Sequence, residues 1–216
     1  MSNGDLFGPP DLPAKEVFAE GAMLLRRFAA DVERPLLDTV GQLIAISPLR
    51  QMTTPGGFRM SVAMTNTGAV GWVSDPHGYR YDPIDPLTGA QWPVMPELFR
   101  DLARRAASSA GFDGFEPDAC LINRYEPGTR LSLHRDYDER DARAPIVSVS
   151  LGVPARFLWG GLKRTDAIKR VPLLSGDVVV WGGPSRFVYH GVAPIKVDEH
   201  PLTGPQRINL TFRKAR

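Results

Sequence analysis

Two stretches of the chain place apolar residues three or four positions apart, the spacing that puts them on one face of a helix. The first lies between Asp31 and Pro48, and the second between Pro96 and Gly111. The residue before a proline disfavours the helical region, so the first helix should end before Pro48. Proline in a first turn and glycine after a last turn are typical helix limits, which indicates a second helix between Pro96 and Gly111.

Apolar and polar residues alternate in much of the remaining chain, as expected of strands with one buried face. This pattern predicts strands over Ala22–Phe28 and Phe58–Met64, whereas Asp75–Pro86 is expected to be an aromatic-rich loop. After Gly111, turn residues separate further short strands. The candidates are Ala119–Tyr125, Arg130–Asp136, Ile146–Leu151, Arg156–Trp159, Lys169–Pro172, Asp177–Trp181, Phe187–Tyr189 and Gln206–Arg213.

Two helices ahead of a long run of short strands predict an α+β fold, with the strands in a sandwich or barrel. We assign a double-stranded β-helix, or jelly roll, although the number of strands alone does not separate it from other sandwiches. The chain has 216 residues and no linker or repeat that would divide it. A single domain is therefore expected.

Composition adds limits of a different kind. The net charge of +2 is compatible with a nucleic-acid partner but does not require one. Cys120 is the only cysteine, so an internal disulfide is excluded and a reducing compartment is favoured. The sequence has neither a secretory signal pattern nor an uncharged apolar run of the ~20 residues that a membrane span needs. We expect a cytoplasmic protein without membrane association.

The first candidate metal ligands are His134 and Asp136. They are two positions apart and would share one face of a strand. His190 is a plausible third ligand. Two histidines and one carboxylate form the facial triad of non-haem Fe(II) oxygenases. Short motifs carry a real risk of chance matches, and the alternative is a surface Asp–His pair with a separate core histidine.

The last strand candidate alternates strictly and places four polar residues on one face. These are Arg207, Asn209, Thr211 and Arg213. If that face is covered, the arginines require anions, and a guanidinium suits bidentate binding of a carboxylate. The two arginines are therefore expected to flank a small dicarboxylate and a metal. The alternative is an exposed strand with solvated arginines.

With these two motifs the chain resembles the AlkB family of Fe(II)/2-oxoglutarate-dependent dioxygenases, whose two hallmark motifs have the same residues at the same spacing. The similarity extends over nearly the whole chain after its N-terminal tail. It also includes Asn123–Tyr125, Thr54–Phe58, Ser61–Met64 and Asp177–Gly183. Residues 1–16 are polar and contain prolines, which predicts a loose N-terminal tail. The resemblance implies an N-terminal extension and nucleotide-recognition lid over about 17–118, and a jelly-roll catalytic core over about 119–216.

The resemblance also implies a cofactor set of Fe(II), 2-oxoglutarate and O2. Arg207 would bind the distal carboxylate of 2-oxoglutarate, and Arg213 would lie nearer the metal. The expected iron ligands are His134, Asp136 and His190. Further contacts with 2-oxoglutarate are expected from Asn123, Tyr125 and Asn209, although Tyr125 has the alternative of a simple packed aromatic.

Substrate contacts implied by the resemblance lie mainly in the lid. Trp72 is expected to form one wall of a base pocket with the ring of His134 opposite, and Tyr79 to contact a backbone phosphate. Asp138 would accept a hydrogen bond from an exocyclic amine and favour a cationic methylated ring, with Arg164 also near the base. Without the resemblance, Trp72 and Tyr79 would be taken for core residues and Asp138 for a solvated carboxylate.

The function that the resemblance implies is oxidative demethylation of 1-methyladenine and 3-methylcytosine in single-stranded DNA or RNA, and duplex DNA is left open as a further partner. This is direct-reversal DNA repair, and the chain itself indicates no obligate protein partner. Two alternatives remain at this point. One is a 2-oxoglutarate oxygenase acting on a protein or small molecule, and the other is a non-catalytic jelly-roll module that binds a metal or dicarboxylate.

Overall fold

A computed structural model of the chain describes residues 13–216. Its two α-helices are α1 (Glu33–Ile46) and α2 (Glu97–Ser109). The strands, in chain order, are β1 (Lys15–Ala19), β2 (Ala22–Leu25), β3 (Ala63–Gly68), β4 (Gly71–Asp75), β5 (Gly78–Asp82), β6 (Ala119–Tyr125), β7 (Leu131–His134), β8 (Ile146–Gly152), β9 (Ala155–Trp159), β10 (Lys169–Leu173), β11 (Val178–Trp181), β12 (His190–Val192) and β13 (Arg207–Arg213).

The core consists of two antiparallel sheets packed face to face. The larger has the order β1-β2-β11-β8-β13-β6-β3, and the smaller has the order β10-β9-β12-β7. Side chains from both sheets fill the space between them, among them Tyr125, Phe157 and Trp181. This arrangement confirms the predicted jelly-roll fold class.

The larger sheet separates two environments because its strands alternate. On β13, Ile208, Leu210 and Phe212 face outward into a core that also contains residues of both helices. The intervening residues of β13, from Arg207 to Arg213, are also buried and lie on the opposite face, between the two sheets. Polar residues are thus enclosed where a sandwich of this kind would otherwise have apolar ones.

Both predicted helices are confirmed. In α1, Leu36, Val40 and Leu43 are buried, and the helix ends just before Ser47 and Pro48. In α2, Phe99 and Leu102 are buried together with three alanines, and Gly111 follows in the left-handed conformation with φ of 86°. Within the described residues, neither helix is long and apolar enough to cross a membrane.

Three predicted elements differ from the structure. The strand over Phe58–Met64 is wrong in its first half, since Met60 pairs back onto Met52 across a tight loop and the ladder with β6 begins only at Ala63. The predicted strand Phe187–Tyr189 is also wrong, because the ladder begins at His190. Both stretches alternate between apolar and polar residues, but a strand also requires backbone pairing with a neighbouring strand, which alternation does not reveal.

The third difference is the expected loop over Asp75–Pro86, which is instead half of a hairpin. Strands β4 and β5 pair through five residues each, with Trp72 opposite Tyr81 and Ser74 opposite Tyr79. Alternation is limited here to the four residues from Tyr79 to Asp82, a run too short for periodicity to distinguish a strand from an aromatic-rich loop.

The domain limits stay a prediction. The larger sheet takes β1, β2 and β3 from the part predicted as an N-terminal extension. Most of the predicted tail over residues 1–16 lies outside the described residues, and Lys15 and Glu16 already belong to β1.

Candidate active site

Three potential metal ligands meet at one edge of the smaller sheet. His134 ends β7 and lies opposite His190, the first residue of β12, while Asp136 follows β7 by two residues. One ligand atom from each lies within 4.8 Å of the others. The Asp136 carboxylate is 3.6 Å from Nε2 of His134 and 3.9 Å from Nε2 of His190. The sequence motif therefore forms one compact donor set.

The backbone fixes how the two imidazoles point. Nδ1 of His134 lies 2.9 Å from the carbonyl of Ser132, and Nδ1 of His190 lies 3.0 Å from that of Val188. A carbonyl only accepts, so each Nδ1 is the donor, and in the neutral ring Nε2 is then the nitrogen with the lone pair. This tautomer is the one that offers Nε2 to a metal.

Electrostatics favour the charge states that a metal needs. Burial, together with nearby His134, lowers the pKa of His190 to about 4, so this imidazole is neutral at neutral pH. Burial alone would raise the pKa of Asp136, but the Arg213 guanidinium and the two histidines outweigh it and hold that pKa below its usual range. Metal ligands must be deprotonated, and these two already are.

Arg207 lies deeper between the sheets and is 1% exposed. Its guanidinium lies over the ring of Tyr125 at 4.9 Å, and Nη2 donates to Ser150 Oγ at 2.9 Å. Nε and Nη1 have no hydrogen-bond partner within residues 13–216. A buried cation with two unused donors is costly unless an anion accepts from them. This site fits one carboxylate of a dicarboxylic co-substrate.

A polar path leads from Arg207 toward the triad. Asn209 donates from Nδ2 to Ser148 Oγ at 2.8 Å and accepts from Thr211 Oγ1 at 2.9 Å. Asn123 donates to Asn209, and its own Oδ1 has no partner among the described residues. Arg213, at the far end, donates to Asp136 at 2.8 Å. Arg213 therefore contacts a triad residue directly, and Arg207 lies at the other end of this path.

Sequence reasoning missed several polar residues of this region. Ser148 and Ser150 face the pocket from β8. The sequence contains a signal for them, because they alternate with the apolar residues Val147, Val149 and Leu151. Three others lie behind Asp136, and no periodicity pointed to them. They are Tyr81, Glu139 and Arg186.

The residues expected to contact a base lie together at the mouth of the triad. Trp72 and Tyr79 stack across the hairpin with ring centroids 5.6 Å apart and planes 13° from parallel. Nε1 of Trp72 donates to Asp138 Oδ2 at 2.7 Å, and Asp138 is two residues beyond Asp136. An aromatic wall and an exposed carboxylate therefore stand next to the metal ligands.

Arg164 lies beside the two strands that carry the histidines. Its side chain is exposed, and Nη1 donates to the carbonyl of Leu133 at 2.7 Å, next to His134. Its guanidinium is 5.9 Å from the ring of Tyr189, which directly precedes His190. The structure thus brings all the predicted site residues to one connected region.

Comparison with known proteins gives a consistent result. A family model described as the 2OG-Fe(II) oxygenase superfamily matches residues 21–213. The alpha-ketoglutarate-dependent dioxygenase AlkB of Salmonella typhimurium (strain LT2) is 58% identical over 211 residues, covering 98% of this chain and 97% of that protein. AlkB of Escherichia coli (strain K12) is 57% identical with the same coverage.

More distant relatives extend the comparison. DNA N(6)-methyladenine demethylase ALKBH1C of Arabidopsis thaliana is 34% identical over 65% of this chain and 36% of its own length. The solved structure of OsALKBH1 superposes with a TM-score of 0.80 at 31% identity, covering 93% of this chain and 99% of that one.

Proposed function

The chain belongs to the 2OG-Fe(II) oxygenase superfamily and, within it, to the AlkB family, and we propose that it removes N-methyl groups from adenine and cytosine bases of single-stranded nucleic acid. Membership makes it a dioxygenase that uses Fe(II), 2-oxoglutarate and O2. The observation that carries the proposal is the bond between Trp72 and Asp138 beside the triad. It joins a stacking surface to a carboxylate where a base would enter.

The proposed roles follow the geometry. Iron is held by His134, Asp136 and His190, whose donor atoms lie within 4.8 Å of one another. Arg207 binds the distal carboxylate of 2-oxoglutarate with the two donors that are otherwise unpartnered. Arg213 orients Asp136, and the rest of the pocket is formed by Asn123, Tyr125 and Asn209.

Recognition of the base is assigned to the mouth of the site. A flipped base stacks on Trp72, with the ring of His134 opposite and Arg164 nearby. The Asp138 carboxylate accepts from the exocyclic amine that adenine and cytosine share, and it attracts the positive charge of an N1- or N3-methylated ring. Tyr79, half-exposed on the hairpin, contacts the backbone phosphate.

Held by the triad and the arginine pocket, Fe(II), 2-oxoglutarate and O2 would supply an oxidation that inserts one oxygen atom into the N-methyl group and one into succinate, with CO2 and formaldehyde as the other products. The protein's own residues bind and orient. Arg207 and Asn209 fix the co-substrate, and Trp72 and Asp138 place the methyl carbon beside the triad. A cytoplasmic location and a preference for single strands belong to this proposal as well.

The test is an incubation of a single-stranded oligonucleotide that carries one 1-methyladenine with protein, Fe(II), 2-oxoglutarate and O2. Mass spectrometry follows the loss of one methylene unit, and a reaction without 2-oxoglutarate is the control. We expect loss that requires the co-substrate. Succinate formation without that loss would point to a protein or small-molecule substrate, and absence of succinate would contradict the enzymatic assignment.

A further inference from the structure

The segment from Asp136 to Glu139 is held from behind by two buried arginines. Arg186 donates from Nη1 to the backbone carbonyl of Asp136 at 2.9 Å, and from Nε to the carbonyl of Ala144 at 3.1 Å. Arg213 donates to the carboxylate of Asp136 at 2.8 and 3.1 Å. The proposed iron ligand is therefore oriented by guanidinium groups at both its main chain and its side chain.

Glu139 is the counter-ion that these arginines share. Its Oε2 is 2.9 Å from Nη2 of Arg186, and its Oε1 is 3.2 Å from Nε of Arg213. The side chains of Glu139 and Arg186 are each 3% exposed. A buried guanidinium without its carboxylate is strongly unfavourable. The position of the Glu139 carboxylate consequently sets the positions of both groups that hold Asp136.

Tyr81 connects this cluster to the hairpin. Its hydroxyl donates to Oε1 of Glu139 at 2.6 Å, a short bond to a charged acceptor. Burial raises the pKa of Tyr81 well above its ordinary value, so the hydroxyl remains a donor at neutral pH. The hairpin has a second bond to the same segment, from Trp72 to Asp138. Two hydrogen bonds thus tie the element that carries Trp72 and Tyr79 to the segment that contains Asp136.

We propose that Tyr81 and Glu139 are positioning residues that link the hairpin to the iron ligand Asp136, so that a base docked against the hairpin improves the alignment of the carboxylate for the metal. The identity of the base rests on the proposed function. Linkage is reciprocal, so the base and the metal each strengthen the binding of the other by the same factor. In this arrangement the triad is assembled without a base, and a docked base adds to metal affinity by holding Asp136 more firmly.

The first test requires no nucleic acid. The affinity for Mn(II) alone is measured for the wild type and for Glu139→Gln, which keeps the shape of the side chain but removes its charge. Groups that orient a metal ligand typically contribute about tenfold to metal affinity, and we expect a loss of that size. Equal Mn(II) affinity in a folded Glu139→Gln protein would overturn the role of Glu139.

The second test measures coupling. Mn(II) affinity is determined with and without a single-stranded oligonucleotide carrying 1-methyladenine, for the wild type and for Tyr81→Phe, which loses only the hydroxyl. We expect the oligonucleotide to tighten Mn(II) binding to the wild type. In Tyr81→Phe that factor should fall toward one, because only the Trp72–Asp138 bond still joins the hairpin to the segment, while Mn(II) affinity without oligonucleotide stays nearly unchanged. If Tyr81 had only a structural role, Tyr81→Phe would also weaken the separate affinities for Mn(II) and for the oligonucleotide. Loss of coupling with both affinities unchanged therefore indicates a linking role.

Tyr137→Phe is the matched control, since Tyr137 adjoins Asp136 but is 53% exposed and lies outside the cluster. It should keep the wild-type coupling factor. Wild-type coupling in Tyr81→Phe, or no coupling in the wild type, would overturn the inference. Oligonucleotide binding is followed separately by fluorescence anisotropy. If the wild type binds no methylated oligonucleotide, the proposed function and the hairpin link both fail, and the first test still decides the role of Glu139.

Discussion

Arg207 combines almost complete burial with two donor nitrogens that no atom of residues 13–216 accepts from. Its neighbours, the Ser150 hydroxyl and the ring of Tyr125, are neutral. Burial lowers the pKa of Arg207, which reflects the cost of keeping that charge between the sheets. An anion on Nε and Nη1 would offset this cost. A residue of this kind is more readily explained by a ligand than by stability.

Arg207→Lys should raise the KM for 2-oxoglutarate by about tenfold to a hundredfold, because an ammonium replaces a planar fork that binds a carboxylate through two parallel bonds. Succinate formation across a 2-oxoglutarate series gives KM, and Mn(II) affinity should not change. Arg170→Lys, which makes the same exchange at an exposed position of β10, is the control. A KM equal to that of the wild type would remove Arg207 from the co-substrate site.

Asp138 accepts from Trp72 and is exposed, so its removal should spare the metal and co-substrate sites. Asp138→Ala is expected to weaken binding of a 1-methyladenine oligonucleotide by about tenfold, the contribution of one hydrogen bond to a charged group. Discrimination against the unmethylated, neutral base should also decrease. Competition binding with both oligonucleotides measures this. Loss of Mn(II) binding would instead mean that Asp138 belongs to the metal site.

At the level of elements, the hairpin of β4 and β5 is the least self-sufficient part of the fold. Two short strands alone are marginally stable, and this pair belongs to neither main sheet. Asn66 in β3 attaches it, since its side chain donates to the carbonyl of Trp72 and accepts from the Trp72 amide, both at 3.0 Å. One buried amide therefore fixes the backbone of the residue that carries the base-stacking ring.

Asn66→Ala should raise the KM for the methylated oligonucleotide several-fold, because Trp72 loses two anchoring bonds. The free energy of unfolding should also fall by about 1–3 kcal/mol, since the two backbone groups lose a buried partner. Succinate formation without nucleic acid should change little. Thr88→Ala, in an exposed turn, is the control. An unchanged KM would show that the sheet alone places Trp72.

The difference between the elements that the sequence predicted and those that it did not is physical. Residues Arg207 to Arg213 were predicted well because a strand with both faces enclosed still alternates between two kinds of side chain. The hairpin was missed because side chains outside it supply its attachments: Asn66 in β3, and Asp138 and Glu139 in a segment far away in the sequence. Glu139 was missed for a related reason: its partners come from three separate segments, and a lone glutamate in a charged run has no local signature.

For the whole molecule, enclosing ionisable groups between two sheets makes stability depend on pH. His190 is the clearest case because burial, with nearby His134, lowers its pKa from an ordinary 6.5 to about 4. Between these values the unfolded chain binds a proton that the folded chain excludes. The folded state is therefore favoured above pH 6.5 and loses stability as the pH falls toward 4. Asp136, whose pKa is also lowered, adds a loss only at lower pH.

The metal-free protein should consequently lose about 3 kcal/mol of unfolding free energy through His190 between pH 6.5 and 4. Urea unfolding at a series of pH values measures this slope. In His190→Asn the slope should be shallower by the contribution of about one proton, whatever the absolute stability of that variant. His77→Asn, which alters a side chain that is 88% exposed, is measured beside it as the exposed counterpart, with the wild-type slope as the reference. If the slope of unfolding free energy against pH in His190→Asn equalled that of the wild type, His190 would be protonated in the folded protein as readily as in the unfolded chain. The fold would then not keep this imidazole neutral for metal binding.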